Sequence, residues 1–170
     1  MDFSEVIDRR YSCKKFDGRG VPEDKLLAVL AAGRTAPTAK NLQEHHIYVA
    51  QGPEALAKID ELTPCRYGAG AVLVVTYDRN NVYTYRGGKQ DSGAEDASIV
   101  ATFLMLAAVN EGLDSCWLNR FDPAEVKKTL ELPENEEVVM LLDLGYKAPD
   151  AEPLPNHFKR KELSETVTWL

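Results

Sequence analysis

The sequence predicts an α+β fold in which a small central sheet, mixed or antiparallel, is flanked by helices. Three observations carry that prediction. Residues 71–77 (AVLVVTY) are a continuous run rich in β-branched side chains, and 138–144 (VVMLLDL) reads as a second buried strand, the pattern of strands buried on both faces. Residues 94–111 form the longest helix candidate, and from Ile99 onward it is apolar on nearly every side, as a long buried central helix is. From Ala148 on, Pro149, Pro153 and Pro155 argue for an extended C-terminal arm.

The other elements follow in order. Residues 2–10 place Phe3, Val6 and Ile7 on one helical face. Residues 22–33 repeat that pattern with Leu26, Leu27, Val29 and Leu30; Pro22 suits a first turn and Gly33 a C-terminal stop. A turn-rich loop, 35–43, leads into a strand over 46–50, which Gly52-Pro53 ends. A short helix over 53–62 precedes the strand at 71–77. The polar, glycine-rich segment 78–93 reads as a loop. Gly112 stops the central helix, 115–119 is a short strand, 123–130 a helix with Pro at its start, and Gly145 closes the strand at 138–144. No repeat or linker divides the chain, so residues 1–170 are expected to form one domain.

Composition excludes several functions. The chain is 44% hydrophobic and 28% charged, with a formal net charge of −7. Such an acidic chain is a poor nonspecific binder of nucleic acid or anionic membrane. Residues 1–16 are charged throughout, which argues against a secretory leader. The longest apolar stretch, 99–109, is far short of the roughly 20 residues of a membrane helix. Three widely spaced cysteines, Cys13, Cys65 and Cys116, argue against a disulfide framework and for a reducing, cytoplasmic setting. No metal-ligand spacing, Rossmann fingerprint or nucleophile elbow occurs.

Basic residues cluster twice against this acidic background: Arg9, Arg10, Lys14, Lys15 and Arg19, and then Lys159, Arg160 and Lys161. Each is either solvated surface or part of an anion site. Arg10, Ser12 and Lys14 alternate, so an extended segment would point all three the same way; a guanidinium fork, a hydroxyl and an ammonium suit a phosphate. The loop Ala36-Pro37-Thr38-Ala39-Lys40-Asn41-Leu42-Gln43 is either a plain capped connection or a recognition loop. In the second reading Asn41 and Gln43 meet the edge of a planar heterocycle. At Gly112 to Asn119 the central helix turns into a strand; Trp117 and Leu118 are core, or backbone there approaches a ligand. Cys116 has no basic neighbour in sequence that would make it a thiolate.

Taken together these stretches resemble the FMN-dependent nitroreductase family. Arg9-Arg10-Tyr11-Ser12-Cys13-Lys14-Lys15-Phe16 is similar to its N-terminal Arg-Arg-Ser-x-Arg-x-Phe signature. The loop at 36–43 is similar to its Ala-Pro-Ser-x-x-Asn-x-Gln. Leu106-Ala107-Ala108 followed by Gly112-Leu113-Asp114-Ser115-Cys116-Trp117 resembles its Leu-x-Ala-x-x-x-Gly-Leu-x-Ser-x-Trp. Gly145-Tyr146-Lys147 and Arg160-Lys161-Glu162-Leu163 resemble its closing Gly-Tyr-Pro and Arg-Lys-Pro-Leu. Four motifs in register cover nearly the whole chain. Tyr11 and Lys14 depart from the family's basic residues, Glu44-His45 replaces Pro-Trp, and Glu162 replaces Pro.

The resemblance implies a nitroreductase-like α+β fold and a homodimer with FMN at the interface. It implies that Arg9, Arg10, Tyr11, Ser12 and Lys14 lie at the FMN phosphate, ribityl or pyrimidine edge. Pro37, Thr38, Ala39 and Asn41 would reach the flavin from the other subunit. Cys116, Trp117 and Leu118 would lie near the ring, and Arg160 with Lys161 would complete the phosphate site. The arm would wrap the partner. NADH or NADPH would deliver hydride to flavin N5, and a nitroaromatic, quinone or similar conjugated acceptor would then take the electrons at the same place. No catalytic side chain and no metal are then expected. Another flavin reaction, such as reductive dehalogenation or an oxidase step, and a non-catalytic flavin-binding module remain alternatives.

Overall fold

The computed structural model describes residues 1–170. The elements are α1 (Phe3–Arg9), α2 (Glu23–Gly33), β1 (His45–Gln51), α3 (Pro53–Leu62), β2 (Ala71–Asp78), α4 (Gly93–Asn110), β3 (Asp114–Leu118), α5 (Pro123–Thr129), β4 (Glu136–Gly145) and α6 (Leu163–Thr166), with single 3-10 turns at Ala39–Asn41 and Pro155–Phe158. The strands form one antiparallel sheet in the order β1-β2-β4-β3. Alternation along β2 and β4 divides the core. Ala71, Leu73, Val75, Met140, Leu142 and Leu144 face α2 and α4, whereas Val72, Val74 and Leu141 face α3 and α5. The sheet is therefore apolar on both faces, which is why β2 and β4 read as continuous runs.

The central helix α4 is buried on the side that meets the sheet, through Ala97, Val100, Ala101, Leu104 and Ala108. Its opposite side, with Thr102 and Phe103, stays open to solvent in the single chain. With 18 residues and a mean hydropathy of 1.2 this is also the one helix long and apolar enough to cross a membrane; here the sheet takes up its apolar face. The arm is not uniformly extended. Pro155 starts the 3-10 turn, and Glu162 and Glu165 build a capping box that starts α6. Segment 78–93 folds back on itself: Thr84 bridges Asp91, and the Tyr85 and Ser92 amides donate to Gln90 and Tyr83 carbonyls.

Candidate functional site

Arg10 to Phe16 runs as an extended segment along the free edge of β3. Ser12 bridges Ser115 in parallel, and the Cys13 amide donates to the Ser115 carbonyl at 2.9 Å. The Phe16 amide donates to Tyr67, and the Ala148 amide donates to Lys15. Pinned on both sides, the segment alternates: Tyr11 and Cys13 turn into the core, and Ser12 and Lys14 turn outward. A cavity of about 250 Å³ opens where Ser12, Lys14, Cys116, Trp117, Asn156 and His157 meet. Next to it lies one of about 530 Å³ walled by Arg10, His157, Phe158 and Arg160. On the other side a third, of about 610 Å³, is lined by Lys14, Cys116, Trp117, Leu118 and Arg120 among others.

The electrostatics of this strip are positive. Burial, and then the neighbouring Arg160 guanidinium, pull the Arg10 pKa below its usual range. Neither guanidinium has a carboxylate partner within 4.0 Å, and Arg160 donates only to the His157 and Lys159 carbonyls. Two juxtaposed guanidiniums, a hydroxyl and an ammonium form a cradle for an anion.

The loop at 36–43 lies elsewhere. Ser12 pairs with Ser115, Ser115 with Leu144, and Leu144 with Ala71. The loop instead feeds His45, which pairs with Tyr77. From Ala71 to Tyr77 a strand runs about 20 Å. Within one chain, Pro37, Thr38, Ala39 and Asn41 are thus at the far end of the sheet from Arg10, Ser12 and Lys14.

The sequence model of the nitroreductase family matches residues 7–66 and 64–146. The chain belongs to the nitroreductase family. It is 34% identical to a nitroreductase family protein of Clostridium difficile 630, covering 99% of this chain and 98% of that one with a TM-score of 0.92. A protein of Thermus thermophilus named NADH dehydrogenase is 26% identical over 204 residues, 99% of this chain and 96% of that protein. A chain from Exiguobacterium sibiricum 255-15, solved in complex with FMN, shares the fold at a TM-score of 0.87 with 18% identity, covering 100% of this chain and 98% of that one.

Against this nitroreductase-family frame, the sequence-derived residues divide. Arg10, Tyr11, Ser12, Lys14, Cys116, Trp117, Leu118 and Arg160 share one strip of connected cavities. Arg9 does not join them. It sits in the last turn of α1, pairs with Glu5 at 3.0 Å and lines a different cavity with Val109 and Asp114, because one step of helix turns it away from its neighbour Arg10. Lys161 is exposed and forms no ion pair.

Asn156 and His157, which line the strip, are missing from the sequence-based set. Their signal is a polar pair between Pro155 and Phe158 in the arm; only folding brings it over Tyr11, whose ring lies 6.3 Å edge-on from His157. Burial, followed by the charge of Asp143, pushes the Cys116 thiol up to about 12. The nitroreductase-family chain therefore offers a neutral thiol beneath the cavity, not a thiolate nucleophile.

Proposed function

We propose that residues 1–170 form one cytoplasmic FMN-binding domain that transfers reducing equivalents from NADH or NADPH to a small conjugated acceptor, a nitroaromatic or a quinone. The observation that carries this reading is the Arg10–Arg160 pair beside Ser12 and Lys14, two guanidiniums without a carboxylate partner. A phosphate fits that donor set, and the FMN carried by the Exiguobacterium relative supports the match. When bound, FMN supplies the hydride-transfer chemistry. The chain's own work is placement and charge. Arg10 and Arg160 hold the phosphate, Ser12 offers its hydroxyl, and Lys14 brings a positive charge to the cavity floor over Cys116 and Trp117.

The placement of the two sets of residues at opposite ends of a strand about 20 Å long supports a homodimer in which each site draws Arg10, Ser12, Lys14 and Arg160 from one subunit. Pro37, Thr38, Ala39 and Asn41 come from the other. The exposed apolar side chains of α1 and the arm, Phe3, Ile7, Phe158, Leu163 and Trp169, would be covered in such a pair. The test is an absorbance spectrum of the purified protein. A yellow protein that NADH or NADPH bleaches without oxygen, and that a quinone restores, is expected. A colourless protein that takes up no FMN overturns the reading.

A further inference from the structure

Three polar side chains, Ser92, Asp96 and Glu44, converge beneath the loop that follows Thr38. Gly93, the first residue of α4, lies so close to the Tyr77 ring that a Cβ there would sit 2.2 Å from it. This seats the first turn of α4 under the loop. Both carboxylate oxygens of Asp96 accept the Ala39 amide at 3.0 Å. Ser92 Oγ donates to Glu44 Oε1 at 3.2 Å, which brings the Glu44 carboxyl to the first turn of α4, where Asp96 lies. Glu44 Oε2 finds no donor, and Glu44 and Asp96 are only 4% and 3% exposed.

Two neighbouring carboxyl groups out of water resist ionising together. Asp96, already accepting an amide with both oxygens, is the natural acceptor, and Glu44 is the group that carries the proton. The loop needs such an anchor. Lys40, Asn41 and Gln43 hold φ of 53, 56 and 52°, a left-handed run that non-glycine residues keep only when their surroundings fix it. The other ties are the Gln43 amide to Thr38 Oγ1 at 3.1 Å and the Asn41 amide to the Thr38 carbonyl.

We infer that Glu44 is a positioning residue. Protonated, it bonds Asp96 and so fixes the Ala39 amide and the Thr38–Gln43 loop; ionised, it repels Asp96 and loosens that loop. The inference rests on reading the loop as one half of the cofactor site. The neighbouring titratable groups do not supply a compensating cation. Burial lowers the pKa of His45 on β1, with Asp96 opposing, which disfavours its cationic form. Lys40 of the loop is turned to the Tyr83 ring, 4.8 Å from its centroid, and Tyr77 of β2 has its pKa raised by burial. Burial first, and Asp96 second, push Glu44 up to about 7, so the loop is held below neutral pH and loosened above it.

Amide hydrogen exchange at Ala39 in the full chain, corrected for the intrinsic rate, tests this between pH 5.5 and 8.5. Protection is expected to fall about tenfold across pH 7. Glu44→Gln, whose amide donates to Asp96 at every pH, should abolish the fall. Asp96→Asn, which can donate to an ionised Glu44, should move it to lower pH. Constant protection in the natural chain, or the same fall in Glu44→Gln, overturns the inference. FMN titrations at pH 6 and 8 separate the two readings. Affinity that drops about tenfold with pH only in the natural chain supports the loop as a cofactor element. An absence of FMN binding at both pH values defeats the cofactor reading, and the exchange profile still decides the role of Glu44.

Discussion

Cys116 lies directly opposite Asp143 in the β3–β4 ladder, and both side chains are buried on the face that packs against α3 and α5. Neither oxygen of Asp143 has a hydrogen-bond partner. Burial pushes its pKa up to about 9, and Arg66, itself paired with Asp60 at 2.6 Å, only partly opposes that. At neutral pH a carboxylic acid and a thiol thus lie side by side, both uncharged, below the candidate site.

That arrangement makes stability depend on pH. The unfolded chain releases the Asp143 proton near the ordinary carboxyl range, whereas the folded chain keeps it up to about 9. Over that interval the native state binds more protons, so its stability falls as pH rises. Asp143→Asn removes the ionisation and keeps the shape. Its melting temperature is expected to gain on that of the natural chain progressively from pH 5 to pH 9. A difference that stays constant with pH would refute the assignment.

The cysteines should be inert in the native chain. Cys13, Cys65 and Cys116 are all buried, burial raises the pKa of Cys13 and Cys116, and the Cys13 thiol is held by the Lys15 carbonyl at 3.3 Å. Ellman's reagent at pH 8 should find no rapidly reacting thiol before denaturation and three after it. A fast native equivalent would place a thiolate where the geometry has none.

Arg10→Ala and Arg160→Ala should each weaken FMN binding by about 1.5–3 kcal/mol, the worth of a hydrogen bond to a charged group. Riboflavin, which lacks the phosphate, should bind equally to natural and substituted chains. Equal losses for both ligands would move the guanidiniums away from the phosphate. Arg9→Ala, which breaks the exposed pair with Glu5 and the contact with the Met1 sulfur, should cost FMN affinity nothing measurable.

The chain just after the Ser12–Lys14 segment, at Arg19 and Gly20, passes close against the backbone of Gly70. A Cβ at Gly70 would fall 2.0 Å from the Arg19 carbonyl oxygen, and backbone cannot swing aside as a side-chain tip can. Gly70→Ala should therefore destabilise by about 3 kcal/mol, the upper end of overpacking costs, read as a lowered denaturant midpoint at unchanged slope. A variant as stable as the natural chain would mean that the 16–20 segment is free to move.

How much could be read in advance follows from the range of the forces involved. The helix at 53–62 is legible to the residue because Gly52-Pro53 starts it and its apolar spacing is local. The strands over 71–77 and 138–144 are legible because both sheet faces are covered, which leaves runs that are apolar save for Thr76 and Asp143. The turn at 155–158 and α6 are hidden by the prolines around them. Asp96 reads locally as a charge at a helix start; its tie to Ala39 and its place beside Glu44 join residues that sequence spacing does not relate.

The sequence by itself determined the α+β class, the order of elements up to β4, the family and the presence of two basic clusters in an acidic chain. It also determined that Ser12 and Lys14 turn to the same side, since a strand has a period of two residues. Only the tertiary structure decided which basic residues meet. Arg10 and Arg160 come from opposite ends of the chain and wall one cavity, whereas their neighbours Arg9 and Lys161 stay apart from it. The reason is physical: local propensity sets the direction of each side chain within its own element, but the distance between two elements is set by how the whole sheet packs its two faces.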